Sequence, residues 1–303
     1  MDERQRKGLV KVSRKGIQFD CPMDQYTTFR AGGRAAALCF VENLSDLREI
    51  VAYLRAEGLP YLIIGRGSNL LVKDGGFPGV GLILRGDLAT VEKSGKGDRT
   101  IHAGGGLSLV ELLNTCRREG LEGLEFLAGI PGTVGGAVIM NAGAWGKEIA
   151  GVIEGVEMIT GQGEPVRKNR AELRFSYREL AVPPGTVIVR ASFALKRQAP
   201  EIIAERIASH LKERKAKQPL EYPSGGSVFK NPPNDYAGRL IEMAGLKGKQ
   251  VGGAMISRKH ANFIVNTGGA TAADILALME LARERVMKDT GVQLETEIRV
   301  VGT

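Results

Sequence analysis

Two glycine-rich segments carry the clearest chemical signal in the chain. The longer segment covers residues 128–137 and leads into a second run of small residues at 141–144. The shorter segment covers residues 65–69 and follows an apolar run at 62–64, so we expect it at the end of a buried strand. Backbone with so few packing side chains exposes its N–H groups, which suits it to holding the phosphates of a ligand. Two such loops predict one large, phosphate-bearing ligand.

The common nucleotide-binding fingerprints do not account for these loops. Gly65 and Gly67 are followed by Leu70 where a dinucleotide-binding fingerprint has its third glycine, and the sequence contains no P-loop. Glycines also serve tight turns, and turns alone would be a sufficient explanation for either loop by itself. Ligand binding explains the presence of both loops better than turns do.

Several motifs in a fixed order carry a resemblance to a known family. The two glycine loops are similar to the FAD-binding region of the vanillyl-alcohol-oxidase-like flavoproteins. Together with the segments at 27–33, 176–178, 225–232 and 294–298, they resemble the family of bacterial UDP-N-acetylenolpyruvoylglucosamine reductases, or UDP-N-acetylmuramate dehydrogenases, over nearly the whole chain. The chain stops soon after the last motif and lacks the insertion of the longer members, so it resembles the shorter class.

The resemblance implies an FAD-containing oxidoreductase of peptidoglycan precursor synthesis, and hence of cell wall biogenesis, cell shape, cell cycle and cell division. NADPH is the implied co-substrate, and hydride passes through FAD to UDP-N-acetylglucosamine enolpyruvate to give UDP-N-acetylmuramate. We expect FAD to be bound non-covalently, because neither glycine loop contains a histidine. The implied FAD contacts are Gly65, Arg66, Gly67, Ser68, Asn69, Leu70, Ala128, Gly129, Pro131, Gly132, Thr133, Val134, Gly135, Gly136, Asn141, Gly143 and Ala144.

Three further residues match the catalytic positions of the family. Hydride addition leaves negative charge beside a carboxylate, and the resemblance assigns its stabilisation to Arg178, whose planar guanidinium can hold a carboxylate through two hydrogen bonds. The resemblance assigns the final proton transfer to Ser227, for which Ser224 is the rival on chemistry alone. Glu297 is implied to help stabilise the intermediate, although Glu295 would share its face on a strand.

The same resemblance places the substrate-binding groups late in the chain. The implied ligands of the substrate are Lys230, Asn231, Lys247 and His260. His260 has an alternative interpretation as a histidine lodged at the start of a strand. We also expect Arg178 and Glu297 to come from different domains and to line one cleft beside Ser227, because the charge that forms between hydride and proton transfer must be stabilised there.

Hydrophobic periodicity predicts the elements that must position these motifs. Ser108 and Glu111 have the spacing of a capping box, which predicts the start of a helix. Gly120 is the stop signal that predicts its end. The final helix is expected to end at Gly291. The predicted elements are helices around 47–54, 109–116, 202–211 and 275–286, and strands over 60–64, 151–160, 186–195 and 293–301.

These elements predict an α+β fold with two functional parts. Residues 1–195 would form a two-part FAD-binding domain with mixed sheets, split into subdomains near 85–100. Residues 196–303, where long helices begin, would form a smaller α/β substrate-binding domain. The order of the motifs supports this division, because the glycine loops precede the boundary and the serine motif follows it.

Composition narrows the class of protein further. The chain has 303 residues, 43% of them hydrophobic, which is enough for substantial cores, and no apolar run has the length of a membrane span. We expect a cytoplasmic protein without membrane insertion, because the charged start leads into no apolar signal region. Three cysteines without a histidine cluster predict reduced thiols and no metal. The net charge of +8 fits an anionic substrate, since the basic residues lack the interleaved aromatics of a nucleic-acid site.

Two other functions stay open at this stage. An oxidase or dehydrogenase of the same flavoprotein superfamily would share both glycine loops, but it would not need the motif at 225–232. A non-catalytic module that binds a nucleotide sugar or nucleic acid is supported by the positive charge alone. The sequence leaves the oligomeric state open.

Overall fold

A computed structural model describes residues 1–13, 16–93, 95 and 98–303. Its helices generally begin at polar side chains that accept a hydrogen bond from the first turn: Asn43 caps the second helix and Ser108 the third. The helices are α1 (Glu3–Val12), α2 (Leu44–Ala56), α3 (Leu109–Arg118), α4 (Val134–Ile139), α5 (Pro200–Lys217), α6 (Ala237–Met243) and α7 (Ala272–Thr290).

The strands are short, and most are separated by turns that contain glycine. In chain order they are β1 (Ile17–Pro22), β2 (Arg34–Val41), β3 (Tyr61–Ile63), β4 (Leu70–Val72), β5 (Phe77–Leu84), β6 (Val91–Lys93), β7 (Thr100–Gly104), β8 (Leu121–Glu122), β9 (Gly143–Ala144), β10 (Lys147–Glu148), β11 (Ile153–Ile159), β12 (Pro165–Asn169), β13 (Phe175–Ser176), β14 (Glu179–Leu180), β15 (Val187–Ala194), β16 (Lys196–Arg197), β17 (Ser224–Ser227), β18 (Gln250–Val251), β19 (Ala254–Ile256), β20 (Phe263–Asn266) and β21 (Arg299–Val301).

Three sheets of four or five strands organise the described residues. Their strand orders are β1-β2-β5-β3, β12-β11-β15-β7-β6 and β17-β20-β19-β18. The five-stranded sheet is antiparallel, whereas β3 pairs with β5 in parallel, so both kinds of strand pair occur among the described sheets. A parallel pair of β4 with β21 joins the strand after the first glycine loop to the end of the chain.

The clearest amphipathic patterns formed the expected elements. In α2 the side chains of Leu47, Ile50 and Leu54 are buried, and β3 follows as predicted. In α7, a reciprocal capping box of Thr271 and Asp274 starts the helix. The helix ends at Gly291, which adopts the left-handed conformation that glycine tolerates best. Local sequence was sufficient here because both the caps and the buried stripe lie within one element.

Two elements differ from the predicted pattern. The helix around 202–211 exists as part of α5, but the side chains of Ile202 and Leu211 are 39% and 45% exposed, and only Ile203 of this helix is buried. The predicted strand over 293–301 is regular only at 299–301, preceded by a single bridge between Phe229 and Thr296. Both differences arise because a periodic pattern predicts which face could be buried, while burial itself needs a partner element.

The chain divides into two compact units that are interleaved in sequence. One unit consists of residues 1–19, 37–65 and 79–212, and the other of residues 20–36, 66–78 and 213–303. Within the second unit, Asp74 accepts hydrogen bonds from the backbone of Ala272 and Ala273 at the start of α7. The functional boundary at residues 195/196 stays a prediction. Ser94, Lys96 and Gly97, within the predicted split near 85–100, lie outside the described residues.

The three cysteines and the described helices relate to the expectations of reduced thiols and of no membrane insertion. Cys21, Cys39 and Cys116 are all buried and free of disulfide bonds, and burial raises the pKa of the Cys116 thiol to about 12. Such a thiol stays protonated and unreactive at neutral pH. Of the described helices, none is both long enough and apolar enough to cross a bilayer.

Candidate active site

The first glycine loop is held by the motif at 27–33. Gly67 has φ +62, and a Cβ atom placed there would lie 2.0 Å from the carbonyl oxygen of Tyr26, so only glycine fits. The carbonyl of Gly67 accepts a hydrogen bond from the N–H of Thr28 at 3.2 Å. This contact gives the motif at 27–33 a structural role as the support of the loop.

Asn69 links the same loop to the end of the chain. Its side-chain amide donates to the carbonyl of Glu297 at 3.1 Å, and its own carbonyl accepts from the N–H of Arg299 at 2.9 Å. The pairing of β4 with β21 continues directly from this contact. A predicted FAD loop and a predicted catalytic glutamate are therefore neighbours within one compact unit.

The second glycine loop belongs to the other unit. Its Gly132 carbonyl accepts from the N–H of Leu109 at 3.0 Å, and the N–H of Gly135 donates to the carbonyl of Gly105 at 2.8 Å. At Gly65, where the first loop begins, a Cβ atom would lie 2.5 Å from the Thr133 hydroxyl oxygen. Gly65 belongs to the same unit as the second loop, and its lack of a side chain allows the chain to pack directly on Thr133 there.

The backbone of each loop, taken by itself, suits the phosphates of a cofactor such as FAD. The carbonyl oxygens of Gly67, Asn69 and Gly132, which would repel phosphate, accept hydrogen bonds from the protein's own N–H groups. The surrounding glycines, which have no side chains, leave room for phosphates to approach the backbone N–H groups. The predicted FAD contacts stay predictions at the level of single residues.

Arg178 lies at the turn between β13 and β14. Its φ of +60 is in the left-handed region, which is uncommon for a residue with a side chain. The guanidinium donates to the carbonyl of Gly143 at 3.2 Å and lies over the ring of Tyr177, 5.0 Å from the ring centre. A predicted catalytic arginine and a predicted FAD-binding segment are thus in direct contact.

The backbone around Ser227 is fixed by Asn262. The N–H of Val228 donates to the carbonyl of Asn262 at 2.9 Å. The buried Asn262 side chain accepts from the N–H of Phe229 at 3.0 Å and donates to the carbonyl of Phe229 at 2.8 Å. Asn262 was not among the predicted site residues. Its position one residue before β20, which pairs with β17, is the only signal that could have suggested this role.

Glu297 and Glu295 both pair with the serine motif through their backbone, because the carbonyl of Glu295 accepts from the N–H of Lys230 at 2.8 Å, but their side chains differ in exposure. The N–H of Glu297 donates to the carbonyl of Val228, the residue after Ser227, at 2.8 Å. Glu295 has a side chain that is 75% exposed and forms an ion pair with Lys230 at 3.6 Å. Glu297 is half-buried and its backbone pairs next to Ser227, and its role as the catalytic carboxylate stays a prediction.

Two of the predicted substrate ligands take part in local contacts. The amide oxygen of Asn231 accepts from the N–H of Ala237 at the start of α6, which leaves its amide N–H groups to serve as donors. Lys247 forms an ion pair with Glu242 at 2.7 Å. Each contact orients the side chain of Asn231 or Lys247 and leaves it with N–H groups that can donate to a substrate.

His260 is half-buried beside the ring of Phe263, with the ring centres 4.8 Å apart. Its Nδ1 accepts a hydrogen bond from the N–H of Asn262, so the neutral ring carries its proton on Nε2. Burial lowers the pKa of His260 below its usual range, and the charge of Lys247 lowers it further. The role of His260 in substrate binding stays a prediction.

The lowered pKa of His260 predicts a pH-dependent stability. The unfolded state binds the histidine proton more readily than the folded state, so the free energy of unfolding should decrease as the pH falls below about 6.5. His260→Gln should weaken this decrease, which urea unfolding at pH 7.5 and pH 5 would measure. Equal pH dependence in both proteins would contradict the expectation.

Phe29 explains why the serine motif contains Gly225. The Phe29 ring is fully buried, and Asn266 donates from its side chain to the Phe29 carbonyl at 3.0 Å. A Cβ atom at Gly225 would lie 2.2 Å from that ring. Phe29 lies in the family motif at 27–33, and its packing against Gly225 could not be predicted because the two residues are far apart in the sequence.

Gly225→Ala is therefore expected to destabilise the protein. Overpacking against a buried ring costs about 1–3 kcal/mol, because neither the ring nor the strand can move freely. Gly151→Ala is a matched control, since a Cβ atom there has no neighbour within 4 Å. Thermal unfolding of both variants measures the difference, and equal melting temperatures would contradict the packing argument.

Comparisons with known proteins extend these observations. A profile of the FAD binding domain matches residues 35–169, and one of the UDP-N-acetylenolpyruvoylglucosamine reductase C-terminal domain matches residues 218–301. The protein called UDP-N-acetylenolpyruvoylglucosamine reductase in Syntrophus aciditrophicus is 44% identical over 287 residues, covering 94% of this chain and 92% of that protein. The chain belongs to the UDP-N-acetylenolpyruvoylglucosamine reductase family. The resemblance inferred from the motifs is confirmed.

Structural comparison agrees with the family assignment. The crystal structure of UDP-N-acetylenolpyruvylglucosamine reductase from Thermus caldophilus matches with a TM-score of 0.80 and 40% identity, over 95% of this chain and 98% of that chain. The glucose dehydrogenase Phl p 4.0202 matches with a TM-score of 0.50 and 15% identity, over 65% of this chain and 45% of that chain, which shows a shared fold alone. The predicted α+β fold with an FAD-binding part is confirmed. Membership of the reductase family favours that class of enzyme over a flavoprotein oxidase or a non-catalytic binding module.

Proposed function

We propose that the chain reduces UDP-N-acetylglucosamine enolpyruvate to UDP-N-acetylmuramate, with FAD as the bound cofactor and NADPH as the co-substrate. The observation that carries this proposal is the pairing of the segments that contain Ser227 and Glu297, through the hydrogen bond from Glu297 N–H to the Val228 carbonyl. A flavoprotein oxidase would need the glycine loops but not a hydroxyl proton donor beside a carboxylate. We place the reaction in the cytoplasm.

Arg178 binds the carboxylate of the enolpyruvyl group in this proposal. When bound, FAD supplies hydride to the terminal carbon of the vinyl ether. The negative charge that develops next to the carboxylate is stabilised by the guanidinium, whose planar fork can donate two parallel hydrogen bonds. The contact of Arg178 with the Gly143 carbonyl orients the side chain before the substrate binds.

Ser227 donates the proton that completes the reaction. Its hydroxyl is a weak acid, so the transfer depends on a strongly basic carbon and on a donor held in place. The hydrogen bonds of Asn262 to Val228 and Phe229 hold that backbone. The Glu297 carboxyl on the adjacent segment assists in stabilising the charged intermediate.

The phosphates and sugar of the substrate bind to Lys230, Asn231, Lys247 and His260. Two lysine charges, an amide donor and the Nε2–H of a neutral histidine form a donor set that suits a diphosphate. The net charge of +8 attracts such an anion over longer distances.

The proposal is tested by following the two half-reactions separately. The purified protein should contain FAD that acid releases intact. Under anaerobic conditions NADPH should bleach the flavin, and UDP-N-acetylglucosamine enolpyruvate should restore its colour much faster than oxygen does. Faster reoxidation by oxygen, or a colourless protein that FAD does not reconstitute, would overturn the proposal.

A further inference from the structure

Asn141 occupies an unusual position after the second glycine loop. It follows α4, is completely buried, and has a φ of +39. The left-handed region costs most side chains about 1–2 kcal/mol, and asparagine is one of the residues that tolerate it. A buried asparagine in such a conformation indicates that its amide has a defined task.

Both polar ends of the Asn141 side chain are bound by the chain itself. The amide nitrogen donates to the carbonyl of Ser176 at 3.0 Å, and the amide oxygen accepts from the N–H of Ala150 at 3.0 Å. An N–H donor on one side and a carbonyl acceptor on the other fix the orientation of the amide. The backbone N–H of Asn141 is used in the same way, since it donates to the carbonyl of Val138 at 3.1 Å, so the residue is turned toward the protein.

A second hydrogen bond joins the same two segments. Two residues beyond Asn141, the carbonyl of Gly143 accepts from Arg178, which lies two residues beyond Ser176. The segments 141–143 and 176–178 therefore run side by side, joined at both ends. Moving one of them moves the other, including the guanidinium of Arg178.

We propose that Asn141 is a positioning residue, which holds Arg178 in register with the second glycine loop through the Ser176 carbonyl. This inference rests on the role of Arg178 in the proposed function. Asn141 makes no contact with the reacting atoms, and its loss acts through the placement of the arginine. An arginine displaced by about 1 Å can cost on the order of 100-fold in rate.

Two variants of Asn141 test this role. Asn141→Gly adopts the left-handed backbone without strain and removes both side-chain hydrogen bonds. Asn141→Asp keeps the acceptor for Ala150 but loses the donor to Ser176, and it covers the case in which the glycine variant does not fold. Both should keep the dissociation constant for FAD within about threefold and leave NADPH reduction intact, while reoxidation by the enolpyruvyl substrate slows by about 10- to 100-fold.

A control separates positioning from a general loss of stability. Asn43, at the start of α2, also accepts and donates through its amide, both times with Asp46. Asn43→Gly should lower the melting temperature without changing either half-reaction.

Tryptophan fluorescence provides a second control on the Asn141 variants. Trp145, the only tryptophan in the sequence, lies two residues after Gly143. An unchanged emission spectrum of these variants would report that the segment has kept its packing.

The coupling between Asn141 and Arg178 provides the decisive measurement. When Arg178→Lys is combined with Asn141→Gly, the loss in reoxidation rate should be clearly less than the product of the two single losses. Weaker FAD binding with an equal loss in both half-reactions would identify Asn141 as a cofactor contact and overturn the inference. Independent, multiplicative losses would overturn it as well. If Arg178→Ala has no effect by itself, the proposed function of Arg178 fails instead.

Discussion

Ser227→Ala is expected to leave the reduction of FAD by NADPH nearly intact and to slow reoxidation by the enolpyruvyl substrate by about 1,000-fold or more. General acid catalysis contributes about 10²–10⁴-fold, and only the second half-reaction needs a proton at carbon. The substitution removes one oxygen and keeps the backbone, whose hydrogen bonds through Val228 and Phe229 to Asn262 do not involve the hydroxyl. Stopped-flow traces of flavin absorbance resolve the two half-reactions.

Ser224→Ala is the matched control for this experiment. Ser224 begins the same strand β17, where it pairs with Val265 while Ser227 pairs with Phe263. Its loss should affect neither half-reaction by more than a few fold. If Ser224→Ala shows the selective loss and Ser227→Ala does not, the assignment of the proton donor is wrong.

Arg178→Ala should lower kcat and raise KM for the enolpyruvyl substrate, with a combined loss in kcat/KM of about 1,000-fold. Removing one donor that stabilises a developing negative charge costs about 10²–10³-fold, and the substrate carboxylate also loses a ligand. Arg178→Lys should recover part of kcat, because it keeps the charge but lacks the planar pair of donors. Steady-state kinetics together with NADPH reduction rates measure the effect.

Arg174→Ala is a suitable control for Arg178. It removes an exposed arginine four residues earlier in the same segment, so it changes the net charge by the same amount. We expect no more than a twofold effect. Equal losses in both variants would show that only the overall charge matters, which would contradict a specific role for Arg178. The expectation that Arg178 and Glu297 act on the same substrate stays a prediction, and their double variant tests it.

The sequence by itself determined the features that depend on neighbouring residues. The caps and buried stripes of α2 and α7 lie within single helices, and Gly65 and Gly67 of the first loop mark places where a side chain does not fit. The ordered motifs, among them those at 176–178 and 225–232, also carried the resemblance to the family without any structure.

Only the tertiary structure decided which distant residues meet. Strand periodicity could not separate Glu297 from Glu295, because residues two apart on a strand share a face. The contact of Glu297 with Val228 joins segments almost 70 residues apart in an irregular region, so only the tertiary structure shows it. Contacts between distant parts of the chain also decide the interleaving of the two units, the exposure of the α5 stripe and the burial of Asn141. A side chain's periodicity is a local property, whereas its burial and hydrogen-bond partners depend on where the rest of the chain packs.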